Sequence, residues 1–153
     1  MACFTILLMV MASSNRECGT CTKCCEGFLS GAAHGFKFYY GKPCEFVVTG
    51  LGCTIYEDRP QHPCKNFKCH WITNPEVPDH FKPEISHIMP TRRGQRYIVL
   101  TNCGPNPNVE VIDWYKDDCI KNGYNIAYNL DGKDYFFGDP EFVAKMESGL
   151  WPS

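Results

Sequence analysis

Residues 109–138 read VEVIDWYKDDCIKNGYNIAYNLDGKDYFFG, a stretch that carries both of the periods that define a fold class. In its first half, Val109, Ile112, Trp114 or Tyr115, Cys119 and Ile120 recur near helical spacing, and Gly123 supplies a C-terminal stop. In its second half, YNIAYNL and KDYFFG flank Asp131-Gly132, the dipeptide favoured by a two-residue type I′ hairpin turn. A helix followed directly by a hairpin points to an α+β chain.

The flanks extend the same unit. QRYIVLT (95–101) is rich in β-branched and aromatic residues and predicts a strand, which GPNPN (104–108) breaks. DPEFVAKMES predicts a short helix with Asp139 as N-cap and Pro140 at the first helical position. Residues 93–153 therefore read as a strand–helix–hairpin–helix unit. Before it, residues 76–92 form a Pro-rich connector with Pro78, Pro83 and Pro90, expected to be irregular apart from one helical turn near Pro83–His87. Residues 15–75 are cysteine-rich and punctuated by glycines. Their FKFYY (36–40) and EFVV (45–48) suit short strands or loop segments packed around a site. Residues 1–14 form an apolar extension. The fold expected is thus α+β, with a small, loop-rich, metal-stabilised module followed by the strand–helix–hairpin–helix unit and packed against it.

The chain has 153 residues, 44% of them hydrophobic and 21% charged, with a formal net charge of −2. That balance suits a globular protein and gives no basic excess for binding nucleic acid. MACFTILLMVM (1–11) is too short to span a bilayer and lacks the positive segment of an export signal, although Ala12-Ser13-Ser14 would suit a cleavage site. An initiator at Met11 is the simpler reading, and the expected location is cytoplasmic, away from membranes. An unidentified protein partner stays open.

Cysteine is the compositional outlier: eleven residues, eight of them between Cys18 and Cys69. In an oxidising compartment such a set would be a disulfide scaffold, and in a reducing one it suggests metal or redox chemistry. CGTCTKCC (18–25) places Cys18, Cys21 and Cys24 at two-residue spacing, which lets thiolates converge on one ion or one face of a cluster. Cys25, Cys44, Cys53, Cys64 and Cys69 complete a set of eight candidate ligands. Adjacent side chains of an extended chain point in opposite directions. Cys25 is therefore expected to face away from Cys24 and to serve a different centre, with some of the later cysteines, or a separate part of a larger cluster. Cys103 and Cys119, after a strand and within a helix, read instead as buried apolar residues.

CGTCTKCC, together with GCTIYEDRP and PCKNFKCHW between residues 52 and 71, resembles the CxxCxxCC, or YkgJ-like, family of cysteine-cluster proteins. The resemblance covers about residues 15–72 and places all eight cysteines at recurring family positions. It implies zinc or iron chelation and no particular reaction. The x3-C-P continuation of the ferredoxin run is absent. An iron–sulfur cluster or iron site is slightly preferred. Zinc, as one or two ions, is the alternative, since eight thiolates divide into two sites of four.

Around the cysteines, His70 reads as an exposed or supporting residue more readily than as a ligand. Arg59, Lys65 and Lys68 are candidate cations beside an anionic site. Tyr56, Phe67 and Trp71 are candidates for an apolar wall shielding it. No catalytic set emerges: phosphate loops and the H-E-x-x-H pattern are missing, and His62, His80 and His87 lie at no ligand spacing. Asp113, Asp117 and Asp118 suit a solvated helix face, and nothing singles out a Cys–His nucleophile. Three readings follow: a metal-binding protein of unspecified process, an iron–sulfur redox or electron-transfer module, and a secreted disulfide-stabilised protein.

Overall fold

The structure is a computed structural model that describes residues 15–94 and 96–149. The apolar extension 1–14, with Cys3, lies outside the described residues. Four strands form the main sheet: β5 (Ile88–Arg93), β6 (Tyr97–Asn102), β7 (Asn125–Leu130) and β8 (Lys133–Phe137), after β1 to β4 of two small hairpins. They lie in sequence order, with β5 antiparallel to β6, β6 parallel to β7, and β7 antiparallel to β8. Parallel neighbours cannot be joined by a tight turn. The connection between β6 and β7 is α3 (Glu110–Asn122), which Gly123 closes in the left-handed region (φ 71°) with its N–H on Cys119 O at 2.8 Å.

The hairpin β7–β8 turns at Asp131 (φ 52°) and Gly132 (φ 78°), the two positive φ values that a type I′ turn requires. Helix α4 (Pro140–Glu147) follows Asp139, which is extended like an N-cap but makes no side-chain capping bond. Its backbone N–H instead donates to Asn125 Oδ1 at 2.7 Å, tying the start of α4 to β7. The expected strand–helix–hairpin–helix order is thus present. Two short helices precede it, α1 (His70–Thr73) and α2 (Pro83–Ser86).

Strand β5 runs through a stretch whose proline content pointed to irregular structure. Pro90 pairs with Leu100 across β6, and β5 is an edge strand, where a residue without an N–H is tolerated. Ile88, Met89, Pro90 and Thr91 are buried consecutively, so packing on both faces holds this strand in spite of its composition.

The core joins the two halves of the chain. Trp71, Val77 and Phe81 from the cysteine- and proline-rich segments pack with Ile98, Leu100, Ile126, Val111, Ile112 and Tyr115. Full burial of a side chain such as Leu100 or Ile126 stabilises by about 1.5–3 kcal/mol. Arg16 fastens the beginning of the module to this core. Its Nη1 donates to Trp71 O (2.9 Å) and Asn74 O (3.0 Å), and its Nη2 to Val77 O (2.5 Å) and Asp79 Oδ1 (2.7 Å). The guanidinium also lies 4.5 Å from the centre of the Trp71 ring.

Between Arg16 and α1 the module is built of turns and two small hairpins, β1 (Gly31–Ala33) with β2 (Phe36–Phe38), and β3 (Val47–Val48) with β4 (Gly52–Cys53). Strands β2 and β3 fall within the 36–40 and 45–48 stretches.

Candidate metal centre

The stretch CGTCTKCC is not extended. Cys21 N–H donates to Cys18 O (2.9 Å), Cys25 N–H donates to Thr22 O (3.0 Å), and Lys23–Cys25 form a 3-10 turn. Adjacent side chains therefore do not diverge as along a strand, and the Sγ atoms of Cys24 and Cys25 come within 3.8 Å. This corrects the expectation that Cys25 faces away.

The other cysteines reach this turn along two routes. Cys44 N–H donates to Cys25 O (2.9 Å), and Cys53 lies opposite Val47 in the β3–β4 pair, so both stand on the Cys25 side. Cys64 sits in the irregular helical turn Gln61–Lys65. That turn seats against β1 so closely that a Cβ at Gly31 would approach Pro63 Cγ to 2.5 Å. Cys69 immediately precedes α1 and arrives from the core side.

Burial and neighbouring thiols raise the pKa of most of the set. Burial raises the pKa of Cys69 to about 11, with Cys18 and Cys21 as the cysteines that push it up further. Cys18 is likewise raised by burial, then by Cys21 and Cys25, against a lowering influence from Arg59 and Lys82. Cys21 is raised chiefly by burial. Cys64 is raised by burial and then by Cys25, Cys44 and Cys53, and Cys44 by burial and then by Cys25 and Cys53. The contact between the two sulfurs raises Cys24 and lowers Cys25, and Cys24 also feels Cys18 and Cys69. These influences run across the whole set: Cys18 and Cys24 both feel Cys25, and the buried Cys103 feels Cys21 and Cys69.

The ten described cysteines are free thiols. Among the described residues, no group of three or more His, Cys, Asp or Glu side chains forms a ready-made ion site. Burial keeps most of these thiols protonated, and neutral thiols gain nothing by converging. A metal would have to displace their protons and draw the sulfurs together. By its chemistry the donor set suits a soft metal: eight thiols, with Arg59 and Lys82 both lowering the pKa of Cys18.

The neighbours differ in part from expectation. Arg59 has its Nε on Tyr56 O (2.8 Å) and its guanidinium 3.7 Å from the centre of the Tyr56 ring, and it lowers the pKa of Cys18, Cys25 and Cys64. Lys65 and Lys68 are exposed. The second cation is Lys82, hidden from a motif search because it lies in the Pro-rich segment. Trp71 lies in the core, against which Cys69 packs, and Tyr56 is 55% exposed.

His70 is neither exposed nor part of a ready ion site. It is 8% exposed, its Nδ1 pairs with Tyr115 Oη at 2.8 Å, and burial, followed by the charge of Arg92, lowers its pKa. Asp113 and Asp117 are exposed, whereas Asp118 accepts hydrogen bonds from the Tyr124 hydroxyl and from Asn122 Nδ2 (2.8 Å). Cys103 and Cys119 are buried, at 3% and 2% exposure.

No helix among the described residues is long and apolar enough to cross a membrane. No family model, curated protein or solved structure matches the chain.

Proposed function

We propose that this chain binds metal through its eight clustered cysteines, in two abutting four-thiolate centres. One would use Cys18, Cys21, Cys24 and Cys69, and the other Cys25, Cys44, Cys53 and Cys64. The observation that supports this reading is the 3.8 Å approach of the Cys24 and Cys25 Sγ atoms in a turn to which Cys44 is also bonded through its N–H on Cys25 O. Seven half-buried thiols and the exposed Cys18 are an improbable outcome of apolar packing alone. The CxxCxxCC resemblance points to the same chemistry.

Iron, as iron–sulfur or mononuclear centres, remains slightly preferred over zinc, and a cytoplasmic location accords with free thiols. Bound metal would cross-link the loop-rich module, where few regular backbone ladders exist to do so, and would therefore contribute directly to its folding. With iron–sulfur occupancy the module would also serve electron transfer.

The test is elemental analysis of anaerobically purified full-length protein alongside its visible spectrum. Stoichiometric metal is expected, with broad brown absorbance for iron–sulfur or no colour for zinc. Cys69→Ser and Cys44→Ser should each remove about half of the metal. Metal-free protein that unfolds cooperatively and is indifferent to chelator would refute the reading, as would native disulfides among these cysteines.

A further inference from the structure

Cys24 and Cys25 are neighbours in the chain whose sulfur atoms also touch, at 3.8 Å. Among the described residues, no other two cysteine sulfurs share a hydrogen-bond contact. We propose that this pair is a site of reversible oxidation, at which a low-molecular-weight disulfide produces a vicinal Cys24–Cys25 disulfide and so withdraws both sulfurs from metal. The bond itself is independent of the metal reading, whereas the release of metal rests on it.

The turn supplies the geometry. Lys23–Cys25 form a 3-10 turn, held by Cys25 N–H on Thr22 O at 3.0 Å and Glu26 N–H on Lys23 O at 3.1 Å. In an extended strand the two side chains would point to opposite faces. Here the sulfurs have only to close from 3.8 Å to a bond of about 2.05 Å, by rotation of the side chains and adjustment of the peptide between them. Both thiols are half-buried, so a small disulfide can reach them.

Covalent geometry makes the bond reversible. Consecutive Cα atoms stand about 3.8 Å apart across a trans peptide, whereas bridged cysteines usually hold theirs about 4.4–6.8 Å apart. A Cys24–Cys25 bond therefore closes under strain, and strain makes a disulfide easier to reduce. That suits a switch and not a permanent staple. Closure also disturbs the segment that carries Cys44, whose N–H is bonded to Cys25 O at 2.9 Å.

The exchange runs in two steps. One cysteine thiolate attacks a sulfur of the small disulfide RSSR, forms a mixed disulfide and expels RS⁻. The other cysteine thiolate attacks the protein sulfur of that mixed disulfide and expels the second RS⁻. Two cysteine thiols are oxidised, one RSSR is reduced to two RSH, and the two cysteine protons end on the leaving thiolates. Because the resolving thiol is the adjacent residue, the second step needs no further encounter. Metal requires thiolate sulfur, so both donors are lost to it once the bond forms.

The test treats anaerobically purified full-length protein with oxidised glutathione, alkylates the remaining thiols and digests with trypsin. Cleavage after Lys23 and Lys37 releases residues 24–37, a peptide whose only cysteines are Cys24 and Cys25. It should be two hydrogen atoms lighter than its dithiol form and unalkylated, and dithiothreitol should restore both thiols. Cys24→Ser and Cys25→Ser each remove the resolving thiol and should trap a glutathione adduct on the cysteine that remains. Metal content, read on the same samples before and after oxidation, should fall as the bond forms. Both thiols of peptide 24–37 still alkylated, or joined to another cysteine-bearing peptide, would overturn the proposal, as would full retention of metal by protein that carries the bond. Protein that forms the bond but held no metal at the outset would support the oxidation site and count against the metal reading alone.

Discussion

Replacing Tyr115 with Phe isolates a single hydroxyl at the joint between the cysteine module and the sheet. Tyr115 is fully buried in α3, and its hydroxyl meets Nδ1 of His70, at the first position of α1, at 2.8 Å. Phe would keep the ring and its contacts with Trp114 and His70, at centroid distances of 5.0 and 5.7 Å. A hydrogen bond contributes only about 0.5–1.5 kcal/mol net, but an unsatisfied buried partner costs about 1–3 kcal/mol. His70 is 8% exposed, and its Nδ1 has no other hydrogen-bond partner among the described residues, so the larger range applies. Urea unfolding should show a lower midpoint and an unchanged slope.

The second arm is His70→Leu in both backgrounds. Removing both polar partners leaves no orphaned group, so the double variant should be less destabilised than the sum of the single variants, with a coupling of about 0.5–3 kcal/mol. A loss below about 0.5 kcal/mol for Tyr115→Phe, or strict additivity with His70→Leu, would refute the reasoning. The two halves would then be joined by apolar packing alone.

Three further outcomes are expected. Arg16→Ala should cost about 1.5–3 kcal/mol in chemical denaturation, because it strips a charged donor from the carbonyls of Trp71, Asn74 and Val77; an effect within 0.5 kcal/mol, about that of an ordinary surface change, would contradict this. Gly31→Ala should destabilise by about 1–3 kcal/mol and reduce metal content, since its Cβ would press on the Pro63 ring at 2.5 Å and displace the turn that carries Cys64; wild-type values in both measurements would argue against that close approach. Burial raises the Cys103 thiol from 9.0 to about 12, so the unfolded chain loses this proton first as pH rises. Its contribution is complete below pH 9 and disappears as pH rises through 12, with a slope of at most about 1.4 kcal/mol per pH unit. Wild type should therefore lose stability faster than Cys103→Ala across that window, and parallel profiles would disprove the assignment.

Elements governed by local chemistry were legible in the residues themselves. The helical spacing ending at Gly123, the Asp131-Gly132 turn and the Pro140 helix start all reappear within a residue or two in α3, the β7–β8 hairpin and α4. Strand β5 was not legible, because its proline content opposes the strand and only pairing with β6 at the edge of a buried sheet overrides it. His70 was misplaced for a similar reason. Its sequence neighbour Cys69 suggests the metal site, whereas its hydrogen-bond partner lies 45 positions away in α3.

The sequence by itself determined the turns and helices whose propensities span a few residues, and the local spacing of eight candidate donors. Only the tertiary structure decided which residues meet. It set Cys24 beside Cys25 through a 3-10 turn and bonded the Cys44 N–H to Cys25 O. It also placed Arg59 and Lys82 as the nearby cations, and turned His70 and Trp71 into the core. These outcomes depend on contacts between residues far apart in the chain. Such contacts form when burial of Trp71, Phe81, Tyr115 and the central strands offsets the entropy of closing the loops between them. No window of local spacing contains that balance.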